Sequence, residues 1–378
     1  MINELDFSKL KKFPGEEGNT FDIILKGLAK INQIPGWLFL LILGLMAYLF
    51  SSFQPIYAGT LLAFFILDWL LLAILPVKRL SFGPTQPVVF LLAIARGFVA
   101  LLPILAAAPL QILGTFLILY GFFYEPHHIK ITYQTLSTSK ISGNTPLRIL
   151  HLGDLHIERI TRRELDLQRK IKELKPDLIL FSGDILNLSY LRDPVAQQDA
   201  RKIIQEWAAP LGVYLVSGSP AVDLKDLFPN LVKDLPVHWL QNEKMDLNWH
   251  GQIFSIHGIT CSHRPQDDIQ ILEQLQPDAD RFNILLYHTP DLAPSAARHP
   301  IDLQLSGHTH GGQVRLPLLG ALVTGSLYGK ALEAGRYRFS DLTLYITRGI
   351  GMEGEGAPRV RFLCPPEIIL WEICSTTP

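Results

Sequence analysis

Residues 305–313 read Leu-Ser-Gly-His-Thr-His-Gly-Gly-Gln and place His308 and His310 between glycines. The preceding run, residues 301–305, alternates apolar and polar side chains as a β-strand does. Glycine allows a sharp turn and the close approach of a ligand to the backbone. The stretch therefore predicts a strand that ends in a loop presenting two imidazoles, which are common ligands of divalent transition metals.

The same pattern of strand, polar tip and helix recurs between residues 147 and 373. Residues 161–164, Thr-Arg-Arg-Glu, have the Ser/Thr-x-x-Glu form of a capping box that opens a helix. Repeated strand–helix units predict an α/β domain, in which ligands bind beyond the carboxyl ends of the strands. Side chains able to bind metal follow the expected strands at Asp154, His156, Asp184, His288, His308 and His310.

Apolar runs bounded by turn residues set the expected elements of this part. We expect strands at residues 147–150, 178–181, 212–216, 252–256, 283–286, 301–305, 342–346 and 368–373. We expect helices from residue 161 to Pro176, at residues 194–208 and at residues 265–275.

The donors at the strand ends form a mixed oxygen and nitrogen set without thiolate, which suits Mn, Fe or Zn better than Mg. Six side chains exceed what one metal usually takes from protein while leaving room for substrate. Two divalent metals about 3.5–4 Å apart, sharing one carboxylate, fit better, and such a pair activates water and clamps phosphoryl oxygens. The alternative is that these are satisfied polar residues at strand ends, a reading that weakens when all six are taken together.

Composition divides the chain into unlike parts. Residues 1–33 are polar and carry five lysines, Lys9, Lys11, Lys12, Lys26 and Lys30. Residues 34–124 are overwhelmingly apolar, too long for a signal peptide and sufficient for four helices at roughly 20 residues per span. We expect those spans at Ile34–Phe50, Ala58–Leu75, Val88–Leu102 and Leu105–Phe123.

The basic residues predict how the spans are oriented. The arm of residues 1–33 is rich in lysine, and Lys78 and Arg79 follow the second span, whereas the turns after the first and third spans carry no basic residue. By the positive-inside rule, the N-terminus and the C-terminal domain face the cytoplasm. If Val88–Leu102 is not a span, three remain and the C-terminal domain faces outward.

Two charged residues, Asp68 and Arg96, lie within the apolar zone. Charged residues in a bilayer are costly and often functional. We favour the simpler reading that they pair with each other or with lipid headgroups. The net charge of −1 gives no indication of a nucleic-acid binder. Cys261, Cys364 and Cys374 form no C-x-x-C pattern, which argues against a disulfide framework or a thiolate zinc site.

The order Asp154-x-His156, Gly183-Asp184, Gly218, His288 and Gly307-His308-x-His310 resembles the calcineurin-like metallophosphoesterases over residues 147–373. Gly349–Gly351 and residues 364–368, Cys-Pro-Pro-Glu-Ile, are similar to a branch whose members often carry N-terminal membrane spans. The resemblance implies two packed β-sheets with helices outside. It also implies that Asp154, His156 and His310 hold one metal, that His288 and His308 hold the second, and that Asp184 bridges them, with Asp184 and His288 foremost in catalysis.

One motif departs from that family. Its third motif is Gly-Asn-His, in which Asn binds the second metal and His serves as general acid or contacts phosphate; here it reads Gly218-Ser219-Pro220. Serine at position 219 is a poorer metal ligand than an amide carbonyl, and proline cannot transfer a proton. Residues that could stand in for the missing groups are Asp223, His257 and His263.

The expected architecture is an α/β protein in which N-terminal transmembrane helices precede a metallophosphoesterase-type β-sandwich flanked by helices. Its parts are a cytoplasmic arm (1–33), a transmembrane domain (34–124), a linker (125–145) and the phosphoesterase domain (146–378). The resemblance implies a phosphohydrolase acting on a phosphoester or pyrophosphate. Membrane anchoring favours a lipid-linked substrate such as UDP-diacylglucosamine, which some members cleave. The alternatives are a one-metal phosphodiesterase and a metal-binding scaffold or sensor that has lost catalysis, which the Ser219-Pro220 departure favours.

Overall fold

The structure is a computed structural model that describes residues 12–14, 16 and 18–376. Its α-helices are α1 Thr20–Ala29, α2 Gly36–Phe50, α3 Pro55–Val77, α4 Thr85–Ala100, α5 Ile104–Ile118, α6 Arg162–Leu174, α7 Pro194–Gln205, α8 Phe228–Val232, α9 Pro265–Gln274 and α10 Ala293–Ala296. Its strands are β1 Lys130–Thr138, β2 Leu147–Leu152, β3 Leu178–Phe181, β4 Val213–Leu215, β5 His238–Trp239, β6 Glu243–Trp249, β7 Gln252–Gly258, β8 Asn283–Leu286, β9 Leu303–Ser306, β10 Arg315–Leu316, β11 Gly320–Ala321, β12 Gly335–Phe339, β13 Leu342–Ile346 and β14 Glu367–Ser375.

Two six-stranded sheets form the centre of the C-terminal part. Their strand orders are β1-β14-β2-β3-β4-β5 and β12-β13-β9-β8-β7-β6. Strands β2 to β5 are parallel in the first sheet, and β7, β8 and β9 are parallel in the second. Apolar side chains of both sheets share one buried cluster, so the sheets pack face to face. This is the sandwich that the resemblance implies.

Helices cover the outer faces of both sheets. α6, α7 and α8 pack on the first sheet through a cluster that includes Leu167, Ile203 and Phe228. α9 and α10 pack on the second sheet through Leu272 and Ala296. A sheet covered on both faces needs continuous apolar strands, which is why all four residues of β3 are buried.

The local signals at α6 and at several strands are confirmed. The Thr161 amide donates to the Glu164 carboxylate at 2.8 Å, and the Thr161 side chain caps the first turn as a capping box does. The strands expected at 178–181, 283–286 and 342–346 have those bounds. β7 runs on to Gly258, so that His257 lies inside the strand and not at its tip.

The expectation of a linker at residues 125–145 is wrong for its central part. Residues 130–138 form β1, which pairs in parallel with β14 from Lys130–Glu367 to Thr138–Ser375. β1 is an edge strand with no fully buried residue, and the alternation of its apolar side chains breaks between Tyr133 and Leu136. Without a regular period, its sequence resembles that of a polar connection.

α2 to α5 form an antiparallel bundle that precedes the sandwich. Two helical stretches, Pro55–Val77 and Ile104–His127, are long and apolar enough to cross a membrane. Residues 20–33 meet α2 at a bend of 111°, and if these two bent segments together count as one span, the number of candidate spans rises from two to three. α4 is apolar but shorter than either of the two long stretches. All four predicted apolar segments are helical. Lys9 and Lys11 of the predicted arm lie outside the described residues.

One end of the bundle is fastened to the sandwich. The Phe82 amide, between α3 and α4, donates to Glu158 at 2.9 Å, and Tyr190 Oη donates to the Phe82 carbonyl at 2.7 Å. The Arg361 amide donates at 3.0 Å to the Gly121 carbonyl, in the π-helical turns that continue α5. The chain therefore enters α2 and α4 and leaves α3 and α5 at the sandwich side, and it turns back at residues 51–54 and 101–103.

Asp68 and Arg96 pair with each other inside the bundle, as the simpler reading predicted. Arg96 Nε and Nη2 donate to the two Asp68 carboxylate oxygens at 2.6 and 2.8 Å. Gln111 and Thr115 of α5 join them, because Arg96 Nη1 bonds Gln111 Oε1 at 3.0 Å and Nη2 bonds Thr115 Oγ1 at 2.9 Å. We call these residues the helix cluster; it ties α3, α4 and α5 together.

Candidate metal centre

The structure brings the six predicted metal-binding side chains to one edge of the sandwich. Asp154 and His156 follow β2, Asp184 follows β3, His288 follows β8, and His308 and His310 follow β9. All six are buried, and they form two groups whose ligand atoms lie within 4.8 Å of one another. The groups are Asp154, His156, His310 and Asp184, His288, His308. We call these six residues the strand-end cluster.

Asp184 lies between the two groups. Its Oδ2 is 3.2 Å from His288 Nε2 in its own group and 3.6 Å from His156 Nε2 in the other. Its Oδ1 accepts from the Ser219 amide at 2.7 Å, which fixes the orientation of the carboxylate. A carboxylate so held can contact two ions at once, the role that the family resemblance implies.

In two of the histidines, the ring nitrogen that points away from the cluster is hydrogen-bonded to a backbone carbonyl. His288 Nδ1 donates to the Ser182 carbonyl at 2.7 Å, and His308 Nε2 donates to the Gly325 carbonyl at 3.2 Å. A carbonyl can only accept, so each ring carries its proton on the far side and aims a lone pair inward. This is the usual support of a metal-binding imidazole, which fixes both its tautomer and its orientation.

Strained backbone accompanies the cluster. Asp154, His156, Asp184, His308 and His310 have φ values of 48°, 40°, 63°, 71° and 51°. Non-glycine residues adopt this left-handed region at a cost, and such residues concentrate where function fixes the geometry. The neighbouring glycines give the room, because a Cβ on Gly307 would overlap Asp154 Oδ2 and one on Gly218 would overlap Asp184 Oδ1.

Orphaned polar atoms indicate that the cluster is built for a ligand. Asp154 Oδ2, His156 Nδ1 and His310 Nδ1 are buried without a hydrogen-bond partner. His310 Nε2 and His156 Nε2 face each other at 3.0 Å. Buried polar atoms without partners are unfavourable, and divalent metal ions satisfy such lone pairs. The unpartnered atoms therefore favour a divalent ion at the first group, and the second group presents the same kinds of donor atoms for another.

Burial keeps two of these imidazoles, His308 and His310, neutral; burial also opposes the charged form of His288, but the adjacent Asp184 carboxylate raises the pKa of His288 to about 9. Burial lowers the pKa of His308 and His310 well below the usual value, and His288 and His156 respectively add to the shift. Burial also raises the pKa of Asp154 to about 6. Burial would raise the pKa of Asp184 as well, but the imidazoles around it, led by His288, hold it below its usual range. Neutral imidazole and ionised carboxylate are the forms that bind metal.

Ser219 lies in the second group, where the family has asparagine. Its Oγ is 3.0 Å from His288 Nε2, 3.2 Å from His308 Nδ1 and 3.3 Å from Asp184 Oδ2. The Ser219 hydroxyl therefore lies where the longer asparagine side chain of the family would reach an ion at the second group. Pro220 is exposed and offers no proton donor.

Of the three suggested stand-ins, only His263 has a free ring nitrogen beside the site. His257 bonds Asn283 Oδ1 at 3.1 Å within the second sheet. Asp223 accepts from the Asp184 and Gly218 amides at 2.9 and 2.7 Å and thereby braces the loops from behind. The His263 ring lies 5.4 Å from the His308 ring, and its Nε2 is buried without a partner.

Residues far apart in sequence complete the site. Arg361 is buried and donates to the carbonyls of Gly351 and Gly349 at 2.5 and 3.2 Å. The same segment donates from the Gly351 amide to the Asp154 carbonyl at 2.7 Å. The sequence showed the Gly349–Gly351 segment only through the family resemblance, and nothing in the local pattern of Arg361 pointed to this bracing role.

Phe13 of the N-terminal arm covers the second group. Its ring stacks on His263 at 4.5 Å between centroids and meets the His308 ring edge-on at 5.7 Å. Phe13 is 1% exposed. Beside it lies a cavity of about 930 Å³, lined by Asp184, Ser219, His308 and His310, by residues of α1 and by residues 322–330.

The comparisons with known proteins agree with this geometry. The family model of calcineurin-like phosphoesterases matches residues 147–312. The uncharacterized metallophosphoesterase YkuE of Bacillus subtilis is 32% identical over 270 residues, which cover 68% of this chain and 90% of YkuE. The chain belongs to the calcineurin-like metallophosphoesterases. Similarity within the family extends to phosphodiesterase YaeI of Escherichia coli, 28% identical over 67% of this chain and 92% of YaeI. It also extends to UDP-2,3-diacylglucosamine pyrophosphatase LpxG of Chlamydia trachomatis, 25% identical over 65% of this chain and 89% of LpxG.

Proposed function

We propose that this metallophosphoesterase is a membrane-anchored hydrolase that uses two divalent metal ions to cleave a phosphoester or pyrophosphate bond in a lipid-linked substrate. The observation that carries the proposal is the strand-end cluster, with its two groups and its unpartnered buried ligand atoms beside a large cavity. Buried polar atoms usually have partners, so three unpartnered ligand atoms within one group favour a bound ion.

The residues divide into two ligand sets that share Asp184. Asp154, His156 and His310 would hold one ion and His288 and His308 the other, with Ser219 Oγ close to the second. Divalent ions in such a pair lower the pKa of water and stabilise charge on phosphoryl oxygens. Mn, Fe and Zn suit this donor set.

The protein's own groups supply orientation. Asp184 is fixed by the Ser219 amide and His288 by the Ser182 carbonyl, so that neither has to reorient when substrate binds. His263 Nε2 has no partner and its ring lies beside His308 of the second group, so we assign it the contact with a phosphoryl oxygen that the absent Gly-Asn-His histidine would make.

The helical bundle supports membrane anchoring by four spans. The exposed basic residues Lys26, Lys30, Lys78 and Arg79 lie at the end of the bundle that meets the sandwich, and the turns at the other end carry none. The positive-inside rule then assigns the sandwich to the cytoplasm. A periplasm-active reporter fused to the C-terminus should stay silent, and a strong signal would instead support three spans and an external domain.

The lipid-linked substrate rests on the membrane anchor and on the similarity to LpxG, whose name gives UDP-2,3-diacylglucosamine as its substrate. We propose UDP-diacylglucosamine as the first lipid to test. Its pyrophosphate provides the oxygens that a two-metal centre binds, and its acyl chains keep it in the membrane that anchors the enzyme.

Hydrolysis assays on the purified full-length protein test the proposal. With added Mn²⁺ the protein should hydrolyse bis-p-nitrophenyl phosphate, a soluble diester, and UDP-diacylglucosamine in mixed micelles. Asp184→Asn, which keeps the size of the side chain but removes its charge, should do neither. A lipid-specific failure with the soluble ester still cleaved would retain the hydrolase and reject this lipid.

The alternative is a metal-binding membrane protein that acts as a scaffold or sensor. Ser219 and Pro220 favour it, because the second group lacks the amide ligand and the site lacks the usual proton donor. The two readings separate cleanly: a protein that binds two equivalents of metal, yet turns over neither the aryl diester nor the lipid, is the scaffold.

A further inference from the structure

The cavity beside the strand-end cluster is larger than a phosphoryl group requires. Its volume of about 930 Å³ lies at the upper end of the roughly 300–1,000 Å³ typical of ligand pockets. Besides the metal-binding residues, its lining includes Phe21 and Leu25 of α1 and Leu322 and Val323, which directly follow β11. The cavity thus extends from the reacting centre to two elements outside the sandwich core.

Both of those elements expose large apolar side chains. In the hairpin segment, residues 315–323, Leu318 is fully exposed and Leu319, Leu322 and Val323 are 61%, 52% and 48% exposed. In α1, Ile23 and Ile24 are 61% and 55% exposed. Neighbouring exposed apolar residues of this size mark surfaces that meet a membrane or a partner. We call these six residues the apolar rim.

The apolar rim lies at the end of the helical bundle that meets the sandwich. The hairpin segment adjoins the π-helical turns that follow α5, because the Arg315 amide donates to the Phe362 carbonyl at 2.9 Å and the Phe362 ring meets the Tyr120 ring at 5.8 Å between centroids. α1 precedes α2 by a short turn and packs against the sandwich, where a Cβ on Gly356 would overlap the Leu25 carbonyl oxygen. Its 111° bend relative to α2 sets α1 nearly perpendicular to the bundle.

A helix perpendicular to a membrane bundle, at the level where the helices leave the bilayer, lies in the headgroup layer. Aromatic residues such as Tyr120 and Tyr124 mark that level. Exposed lysines accompany the rim at positions 12, 26 and 330, and Lys330 Nζ donates to the Leu319 carbonyl at 3.0 Å. Apolar side chains among basic ones match an anionic lipid surface in both polarity and charge.

We propose that the apolar rim inserts into the cytoplasmic headgroup layer and forms the mouth through which an amphipathic phosphoester enters the cavity directly from the leaflet. The occupant of the rim is the bilayer surface; the phosphoryl group of the substrate reaches the strand-end cluster while its acyl chains pass between α1 and the hairpin segment. This inference rests on the proposed function for its substrate, but insertion of the rim is a separate property of the surface.

Quenching of a fluorescent dye by nitroxide-labelled lipid measures insertion of the apolar rim independently of catalysis. An environment-sensitive dye on Leu318→Cys, in a Cys374→Ser background that leaves only buried native cysteines, reports on the hairpin segment. The control is Ile253→Cys, a half-exposed apolar position at the start of β7, at the opposite edge of the second sheet from the strand-end cluster. Each labelled protein is reconstituted in phosphatidylethanolamine and phosphatidylglycerol nanodiscs, with and without headgroup-labelled nitroxide lipid.

The dye at position 318 should be quenched strongly by the nitroxide lipid and the dye at position 253 should not. Equal quenching at the two positions would overturn the proposal. So would a change at position 318 that requires two protein copies per nanodisc, because that result assigns the rim to self-association.

Charged substitutions in the apolar rim test whether the lipid substrate enters the cavity there. Leu318→Asp with Leu319→Asp should lower turnover of vesicle-embedded UDP-diacylglucosamine at least tenfold and leave bis-p-nitrophenyl phosphate turnover unchanged, whereas Ile253→Asp should change neither. An equal loss on both substrates, or no loss on either, contradicts the proposal. If the unaltered protein cleaves neither substrate, the proposed function fails, while the quenching result still decides whether the rim inserts.

Discussion

Two buried groups of charged side chains differ in how well their polar atoms are satisfied. In the helix cluster, every donor of Arg96 has an acceptor and both Asp68 oxygens accept. In the strand-end cluster, Asp154 Oδ2 and two ring nitrogens are buried with no partner, and two imidazole nitrogens face each other at 3.0 Å. Both clusters contain charged residues at costly positions. Complete satisfaction marks the first as structural, and incomplete satisfaction marks the second as a site for ions.

The largest expected effect comes from replacing one aspartate by asparagine, and it should appear in the strand-end cluster but not in the helix cluster. Asp184→Asn should abolish hydrolysis and lower metal affinity by more than the roughly 10- to 100-fold that follows the loss of a supporting partner. Asp68→Asn should leave metal content and turnover of soluble esters intact. Metal analysis of the purified variants measures both. Full metal content in Asp184→Asn would contradict both the assignment of the strand-end cluster as a metal site and the two-metal proposal.

Removing Arg96 should destabilise the bundle. Arg96→Met leaves Asp68 buried without a counter-charge, and breaking a buried pair in this way costs about 3–5 kcal/mol. Thermal unfolding in detergent measures the loss. The matched control is Arg96→Met with Asp68→Leu, which removes both charges and should recover most of the stability. If the Arg96→Met variant were as stable as the unaltered protein, the helix cluster would not be structural.

Restoring the missing motif should sharpen the second ion site. Ser219→Asn returns a carbonyl oxygen, and Pro220→His returns a proton donor near the leaving group, which is typically worth about 10²–10⁴-fold on esters with poor leaving groups. The double variant should gain second-ion occupancy and turnover of an alkyl phosphodiester, and it should gain less with an aryl ester. If the unaltered protein already has full occupancy and high alkyl turnover, and the variant loses both, other residues fill these roles.

His263→Ala should lower turnover by about tenfold, the effect of one lost hydrogen bond to a charged group. Metal content should hold, because the hydrogen bonds that fix His308, the metal-binding residue beside this ring, go to Ser219, Gly325 and Asp154 and not to His263. His257→Asn serves as the control, since His257 bonds only within the second sheet. Kinetics on bis-p-nitrophenyl phosphate distinguish the two, and equal rates in both variants would remove His263 from the site.

The smallest expected effect concerns Phe13. Phe13→Ala should raise kcat/KM for the soluble ester a few-fold, because its ring occupies the space against His263 and His308. Phe21→Ala removes an equal ring from another part of the cavity lining and should not have this effect. A lower rate in Phe13→Ala would mean that the ring positions His263.

Much of the site was predictable because its ligands follow strands with clear local patterns. β3, β8 and β13 have the predicted bounds, and the ends of β3 and β8 bring Asp184 and His288 together. The contact of Phe13 with His263 and the pairing of β1 with β14 were not predictable, since they join residues far apart and neither segment has a regular period. The partners Gln111 and Thr115 were missed for a related reason, because single neutral polar residues barely alter an apolar helix pattern.

The unequal lengths of the bundle helices have a consequence for the membrane in which we propose they lie. α2 and α4 have 15 and 16 residues, or about 22–24 Å, while α3 has 23 residues, or about 35 Å. If the bundle spans a membrane as proposed, a hydrocarbon layer of roughly 30 Å would have to thin where it meets α2 and α4. α1 joins α2 on that flank, beside the cavity. Lipids beside these helices would then have compressed chains and lowered headgroups, so we expect that lifting one from the leaflet would require less work there than elsewhere in the bilayer.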